Sequence, residues 1–145
     1  MAVAERRANV VWNGNLFQGS GTFDLASSEA AQGLPVTWAS RTERPDGRTS
    51  PEELIAAAHA SCFAMAFSNT LAEQGNEPEE LDISAVCTFD ADQLKVTNMV
   101  LDVRGRVPDL DTEGFQSAAD QAEQVCPVSN ALRGNVDIEV NASLD

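Results

Sequence analysis

The sequence predicts an α+β fold, a single domain over residues 1–145. Three observations predict it. Leu54 to Ala72 carries no charge and is long enough for one extended helix. Two later runs alternate apolar and polar residues, as half-buried strands do. Asn13-Gly14 stands between two strand-like runs near the start, a strong hairpin signal because both turn positions need positive φ. The order ββ(β)-α-ββ-α-α-β places helices against antiparallel sheet.

The elements follow in order. Trp12-Asn-Gly-Asn15 joins Ala8–Trp12 to Leu16–Leu25 as a hairpin. Ala26–Gly33 is small, polar and loop-like, and Leu34–Ser40 reads as a further strand. Arg41–Thr49 is a charged loop rich in turn residues. Ser50 then serves as N-cap, Pro51 suits the first helical position, and Glu53 completes a Ser-x-x-Glu capping box. That helix should reach Glu73 or Gln74, with Gly75 as its stop. Leu81, Ile83, Ala85, Cys87 and Phe89 mark one face of a strand, and Met99, Leu101 and Val103 mark the next, within Leu94–Val107. After Pro108–Asp111 a second helix spans Thr112–Val125. Pro127 breaks it by removing a donor and crowding the preceding turn. Pro127 also suits the opening of a short helix through Leu132, with Cys126 at its N-cap. Val136, Ile138, Val140, Ala142 and Leu144 alternate as a last strand.

Composition narrows the function. Net charge is −14, with 23 acids against 9 bases, which repels nucleic acid and anionic membranes as partners. Three cysteines in 145 residues do not make a disulfide scaffold. The opening residues, Met-Ala-Val-Ala-Glu-Arg-Arg-Ala-Asn, lack an apolar run, so a cytoplasmic, reducing setting is expected. There, paired cysteines are more often catalytic or redox-active than structural. Leu54–Ala72 has the length of a membrane span, but His59, Ser61, Ser68, Asn69, Thr70 and its many alanines favour a helix buried in protein.

Cys62 and Cys126 carry the chemical interest. A thiol within a buried helix and a thiol at a chain break can cycle between dithiol and disulfide if they meet. Cys62 lies about 16 Å from the start of its helix at 1.5 Å per residue, beyond reach of the dipole, and burial opposes its ionisation. A reactive Cys62 therefore needs a cation from another segment. Arg41 is the first candidate, then Arg44 and Arg48, with Lys95 and Arg133 more remote. The plainer alternative for Cys62 is an inert small hydrophobe. Cys126 as a helix cap would face free N–H groups; its plainer alternative is also a packed thiol. Cys87 reads as core filling.

His59 sits three residues before Cys62, on the adjacent helix surface. A Cys–His pair is a hydrolase signature, yet an imidazole in an alanine-rich buried helix is more often a hydrogen-bonded core residue. His59, Cys62 and Cys126 lack the spacing of a zinc site. Glu52 stands ten residues before Cys62. In one regular helix that is about 15 Å along the axis and about 80° around it, so cooperation would have to run between subunits.

Ser50-Pro-Glu-Glu-Leu-Ile-Ala-Ala-Ala-His-Ala-Ser-Cys-Phe63 and Cys126-Pro-Val-Ser-Asn-Ala-Leu132 together resemble the OsmC/Ohr family of thiol peroxidases. Trp12-x-Gly14, Gly19-x-Gly21 and the final strand extend the likeness over almost the whole chain. The helix start, Ala-His-Ala before Cys62 and the placement of the Arg41 loop resemble the osmotically inducible (OsmC) branch. The resemblance implies an OsmC-like fold, with antiparallel sheets wrapped around a long central helix in an intertwined homodimer. It implies a peroxidatic Cys62 and a resolving Cys126, joined as a disulfide after Cys62 becomes sulfenic acid. It implies that Glu52 orients an arginine, Arg41 first, with Arg44 or Arg48 open because the intervening loop varies. The substrate implied is an organic or lipid hydroperoxide. Phe63, Met65 and Phe67 are at helix spacing to receive its tail, though all three also suit a core. No metal, haem or flavin cofactor is implied; the reductant is an external dithiol of the dihydrolipoamide type. Two other classes stay open: a redox sensor or binding module using the same thiols, and a Cys–His hydrolase.

Overall fold

The computed structural model describes residues 2–145. The chain forms two compact units, one reaching to Pro51 and one running from Glu52 to Asp145. Strands and helices are mixed, with two small sheets and one long helix.

The N-terminal unit holds β1 (Asn9–Asn13), β2 (Ser20–Asp24), β3 (Leu34–Val36) and α1 (Trp38–Thr42). The strands form one antiparallel sheet in the order β1-β2-β3. The hairpin is looser than Asn-Gly predicts. β1 runs on through Asn13, which pairs with Ser20, leaving Gly14–Gly19 as the connection. Asn15 organises that loop: its Oδ1 accepts the Gln18 N–H at 2.8 Å and its carbonyl accepts the Gly19 N–H at 2.9 Å. Asparagine side chains compete in this way with ladder pairing. Leu34–Ser40 is not one strand. Thr37 caps α1 through a reciprocal pair with Ser40, each side chain accepting the other's backbone N–H at 3.0 Å. This Thr-x-x-Ser box stops β3 at Val36 and puts Arg41 on a helix rather than in a loop.

The C-terminal unit is built on α2 (Pro51–Glu73). The helix ends where glycine was expected to end it. Gly75 sits at φ +85, and the Asn76 N–H reaches back to the Leu71 carbonyl at 2.9 Å while the Gly75 N–H reaches Ala72 at 3.0 Å. This is a Schellman closure, which needs the left-handed conformation glycine adopts freely. Then come β4 (Glu80–Asp90), β5 (Lys95–Arg106), α3 (Thr112–Val125), α4 (Pro127–Leu132) and β6 (Asp137–Leu144). Asp111 caps α3, its carboxylate accepting the Gly114 N–H at 2.7 Å.

The second sheet has the order β4-β5-β6. β4 and β5 are antiparallel, but β5 and β6 are parallel, unlike the uniformly antiparallel sheet expected. α3 and α4 fill the connection between β5 and β6 and return the chain to the end where β5 began. Parallel pairing requires such a crossover of a dozen residues or more. One face of this sheet carries Ile83, Ala85 and Cys87 opposite Val103, Leu101 and Met99, with Ile138 and Val140 on the far side. Phe63, Phe67 and Leu71 of α2 and Phe115, Ala118, Ala119 and Ala122 of α3 pack on it. Phe67 links the two helices, with ring centroids 5.5 Å from Phe63 and 4.9 Å from Phe115.

Gly105 lies where α3 presses close against the sheet. A Cβ there would overlap the Phe115 ring. Gly105→Ala is therefore expected to destabilise the chain by about 1–3 kcal/mol, as overpacked cores do. In urea unfolding the midpoint should fall with little change in slope.

Candidate active site

Cys62 lies on the flank of α2, half-buried, between the fully buried face of Phe63 and Phe67 and the solvent face of Met65. Cys126 stands at the corner between α3 and α4 and is fully buried. Its backbone is extended, φ −73 and ψ 117, because the residue before a proline is pushed out of the helical region. Cys126 ends one helix and caps the next, as Pro127 led us to expect, but its sulfur makes no capping bond.

The two cysteine segments meet. The Cys62 thiol lies close enough to Cys126 and to the backbone N–H of Val128, two residues further on, for both to act on it. Both thiols are free. Burial pushes the Cys62 thiol up, and the neighbouring Cys126 adds to the rise, while the Val128 N–H pulls it down. Within this unit, none of the groups acting on Cys62 among the described residues is positive. The fold of the C-terminal unit thus brings two sulfurs together and does not by itself ionise one.

His59 is fully buried, and its Nε2 lies 2.7 Å from the Ser129 Oγ, itself fully buried on α4. Its Nδ1 has no partner, so either neutral tautomer leaves one ring nitrogen unpaired in the core. Burial lowers the imidazole pKa, opposed by the charge of Glu123. With one nitrogen turned to Ser129 and the other without a partner, His59 is not paired to Cys62 as a hydrolase base would be. Ser129 went unassigned in the sequence. The pattern that could have found it is its place three residues after Cys126, matching His59 three residues before Cys62.

Arg133 braces the same corner. Its guanidinium donates to the Glu123 carbonyl at 2.9 Å and to the Glu123 carboxylate at 2.7 Å, and it also bonds Asn130. These bonds tie the end of α3 to α4 across Cys126, a structural use for one of the arginines considered as a partner for Cys62.

The other expected residues lie as follows. Glu52, 6% exposed in the first turn of α2, acts electrostatically on Cys87, whose thiol is pushed up first by burial and then by that charge. The helix from Glu52 to Cys62 is unbroken, so the axial separation of about 15 Å holds within one chain. Arg41 is on α1 of the N-terminal unit, its guanidinium 5.8 Å from the Trp38 ring centroid. Arg44 and Arg48 follow α1 and are exposed. Phe63 and Phe67 are sealed in the core, whereas Met65 is 73% exposed, so the three do not line one surface. Among the described residues no three His, Cys, Asp or Glu side chains converge as a metal-binding group.

The family model for OsmC-like proteins matches residues 44–141, spanning both cysteine segments. The chain belongs to the OsmC-like family. Peroxiredoxin OsmC of Escherichia coli (strain K12) is 33% identical over 136 residues, covering 92% of this chain and 94% of that protein. The organic hydroperoxide resistance protein of Xanthomonas axonopodis pv. citri (strain 306) is 37% identical over 92 residues, 62% of this chain and 63% of that one. The crystal structure of the organic hydroperoxide resistance protein OhrB of Bacillus subtilis superposes with a TM-score of 0.68 at 27% identity, over 94% of this chain and 98% of that chain. The OsmC-like fold that the resemblance implies is the fold observed.

His59 is the chain's one histidine, which gives its titration a clean signature. Its folded pKa lies below the ordinary 6.5. Well above pH 6.5 the imidazole is neutral in both folded and unfolded chains, and stability is unaffected by it. As pH falls through 6.5 the unfolded chain takes up a proton that the folded chain refuses, so stability drops. Denaturation between about pH 7 and 5, above most carboxylates, should show this fall in the wild type and lose it in His59→Leu.

Proposed function

We propose that this protein is a thiol-dependent hydroperoxide reductase working through Cys62 and Cys126. The observation that carries the reading is the interaction between the two thiols, brought near each other from α2 and from the α3–α4 corner. Its relatives in the OsmC-like family support it, being named for peroxiredoxin activity and organic hydroperoxide resistance.

In this mechanism the Cys62 thiolate attacks the distal oxygen of ROOH. The O–O bond breaks, the alcohol departs with a proton, and Cys62 becomes a sulfenic acid. The Cys126 sulfur then attacks that sulfur, water leaves, and a disulfide joins the two residues. An external dithiol, of the dihydrolipoamide type, takes the disulfide back to two thiols and is itself oxidised. No bound cofactor enters these steps.

Ionisation of Cys62 has to overcome its burial, and we assign that task to Arg41, held by Glu52 through a charge-assisted pair. Because unbroken α2 keeps Glu52 far from its own Cys62, we propose a homodimer in which the second chain completes the site. The apolar surface left open supports this. Only 22% of the most apolar window of α2 is buried within one chain, and Val10, Val11 and Phe17 of the N-terminal unit are also exposed. Exposed apolar surface of this kind, in either unit, marks an interaction site. A hydroperoxide tail would meet Met65, the one exposed side chain of the three considered, at about 0.8 kcal/mol per buried CH₂. Phe63 and Phe67 act from behind, as the packed wall beneath Cys62.

The same two thiols would also serve a redox sensor that oxidises once and turns over poorly. Steady-state consumption of cumene hydroperoxide with a dithiol separates the two. Turnover should be lost in Cys62→Ser, while Cys126→Ser should react once and then overoxidise. One stoichiometric oxidation with no turnover in the wild type would select the sensor.

The dimer has its own test. Sedimentation should give twice the chain mass for the wild type. Met65→Asp, a charge on the open face of α2, should shift the chain to monomer and take peroxidase activity with it.

A further inference from the structure

We propose that His59 and Ser129 are positioning residues that hold Cys126 in register with Cys62 for disulfide formation. The inference rests on the reading of these two cysteines as peroxidatic and resolving.

The geometry carries it. His59 is three residues before Cys62 on α2, and Ser129 is three residues after Cys126 on α4. Residues three apart are neighbours on a helix surface. The 2.7 Å bond between His59 and Ser129 therefore runs beside the contact between the sulfurs, and the two form neighbouring rungs between the same pair of segments. Both bonded side chains are fully buried, so water does not compete for either.

α4 needs such a rung. It has six residues, too few to persist without tertiary support. Cys126 makes no capping bond of its own. Arg133 fixes the far end of α4 to α3 through its bonds to Glu123. The His59–Ser129 bond is a buried polar side-chain link from α4 to α2, and it sets the distance from which Cys126 approaches.

Disulfide closure is sensitive to that distance. Two neighbouring thiols must still draw together to about 2.05 Å between sulfurs with a restricted dihedral. A sulfenic acid on Cys62 has two fates. Cys126 displaces its oxygen as water and forms the disulfide, or a second ROOH oxidises it to sulfinic acid and leaves as alcohol. The ratio of these products reports the effective concentration of Cys126 at Cys62.

The test uses the full-length reduced chain, titrated with cumene hydroperoxide, quenched and weighed intact. Disulfide appears as loss of a hydrogen pair and sulfinic acid as gain of an oxygen pair. In Ser129→Ala the disulfide-to-sulfinate ratio should fall on the order of tenfold, as effective concentrations do when a reacting group loses its anchor. His59→Leu/Ser129→Ala removes both polar partners together, so no buried group is orphaned and folding is protected. Its ratio should fall equally. Ser129→Thr keeps the hydroxyl and should recover the ratio. A merely structural role would lower thermal stability and leave the partition unmoved. A wild-type ratio in the folded double variant, or a loss that no hydroxyl restores, overturns the proposal. A wild type that forms no disulfide at all removes the underlying peroxidase reading instead.

Discussion

Pro127 is the constraint on which the site depends. It cannot continue α3, and it forces Cys126 into an extended backbone. The chain therefore turns at one residue, starts α4, and delivers a sulfur to the flank of α2 rather than along a helix surface. The bonds around the turn all serve that corner. Arg133 closes α3 onto α4, and Ser129 ties α4 to His59. Without the break, α3 would run straight past Cys62.

Proximity and ionisation have different sources here. Packing α3 and α2 over one sheet face gives the sulfurs their contact, and the same packing desolvates Cys62 and raises its thiol. A buried corner can supply a backbone N–H, as Val128 does, but not a full positive charge. In the proposed reaction a positive charge would come from outside the C-terminal unit. The disulfide would then rest on local geometry, and the thiolate on a guanidinium that another segment brings.

Much of this was legible in the sequence because it is written in local rules. Pro51, Gly75, the Thr112 start and the Cys126-Pro127 corner each follow from caps and breakers, and each falls where predicted. Strand faces were legible from alternation. Strand direction was not, since a period of two is the same in parallel and antiparallel pairs, and β6 joined β5 in parallel. The Asn-Gly turn misled because Asn15 offered its side chain to the loop, and α1 was missed because Thr37 and Ser40 read equally well as strand residues. At the site, the two cysteines stood out by type and spacing. The His59–Ser129 bond spans 70 positions, and nothing local announces it.

α2 explains why Cys62 stands where it does. A helix without charge over nineteen consecutive positions makes an apolar demand on every side. Its inner face answers that demand with Phe63, Phe67 and Leu71 against the sheet. Its outer face, with Met65, answers it with nothing inside one unit. Cys62 lies on the border between the two. Its thiol interacts with Cys126 from the half-buried flank of the helix. In the proposed reaction Cys126 would resolve the oxidised thiol from within the unit, and the peroxide would approach from the side of the uncovered face.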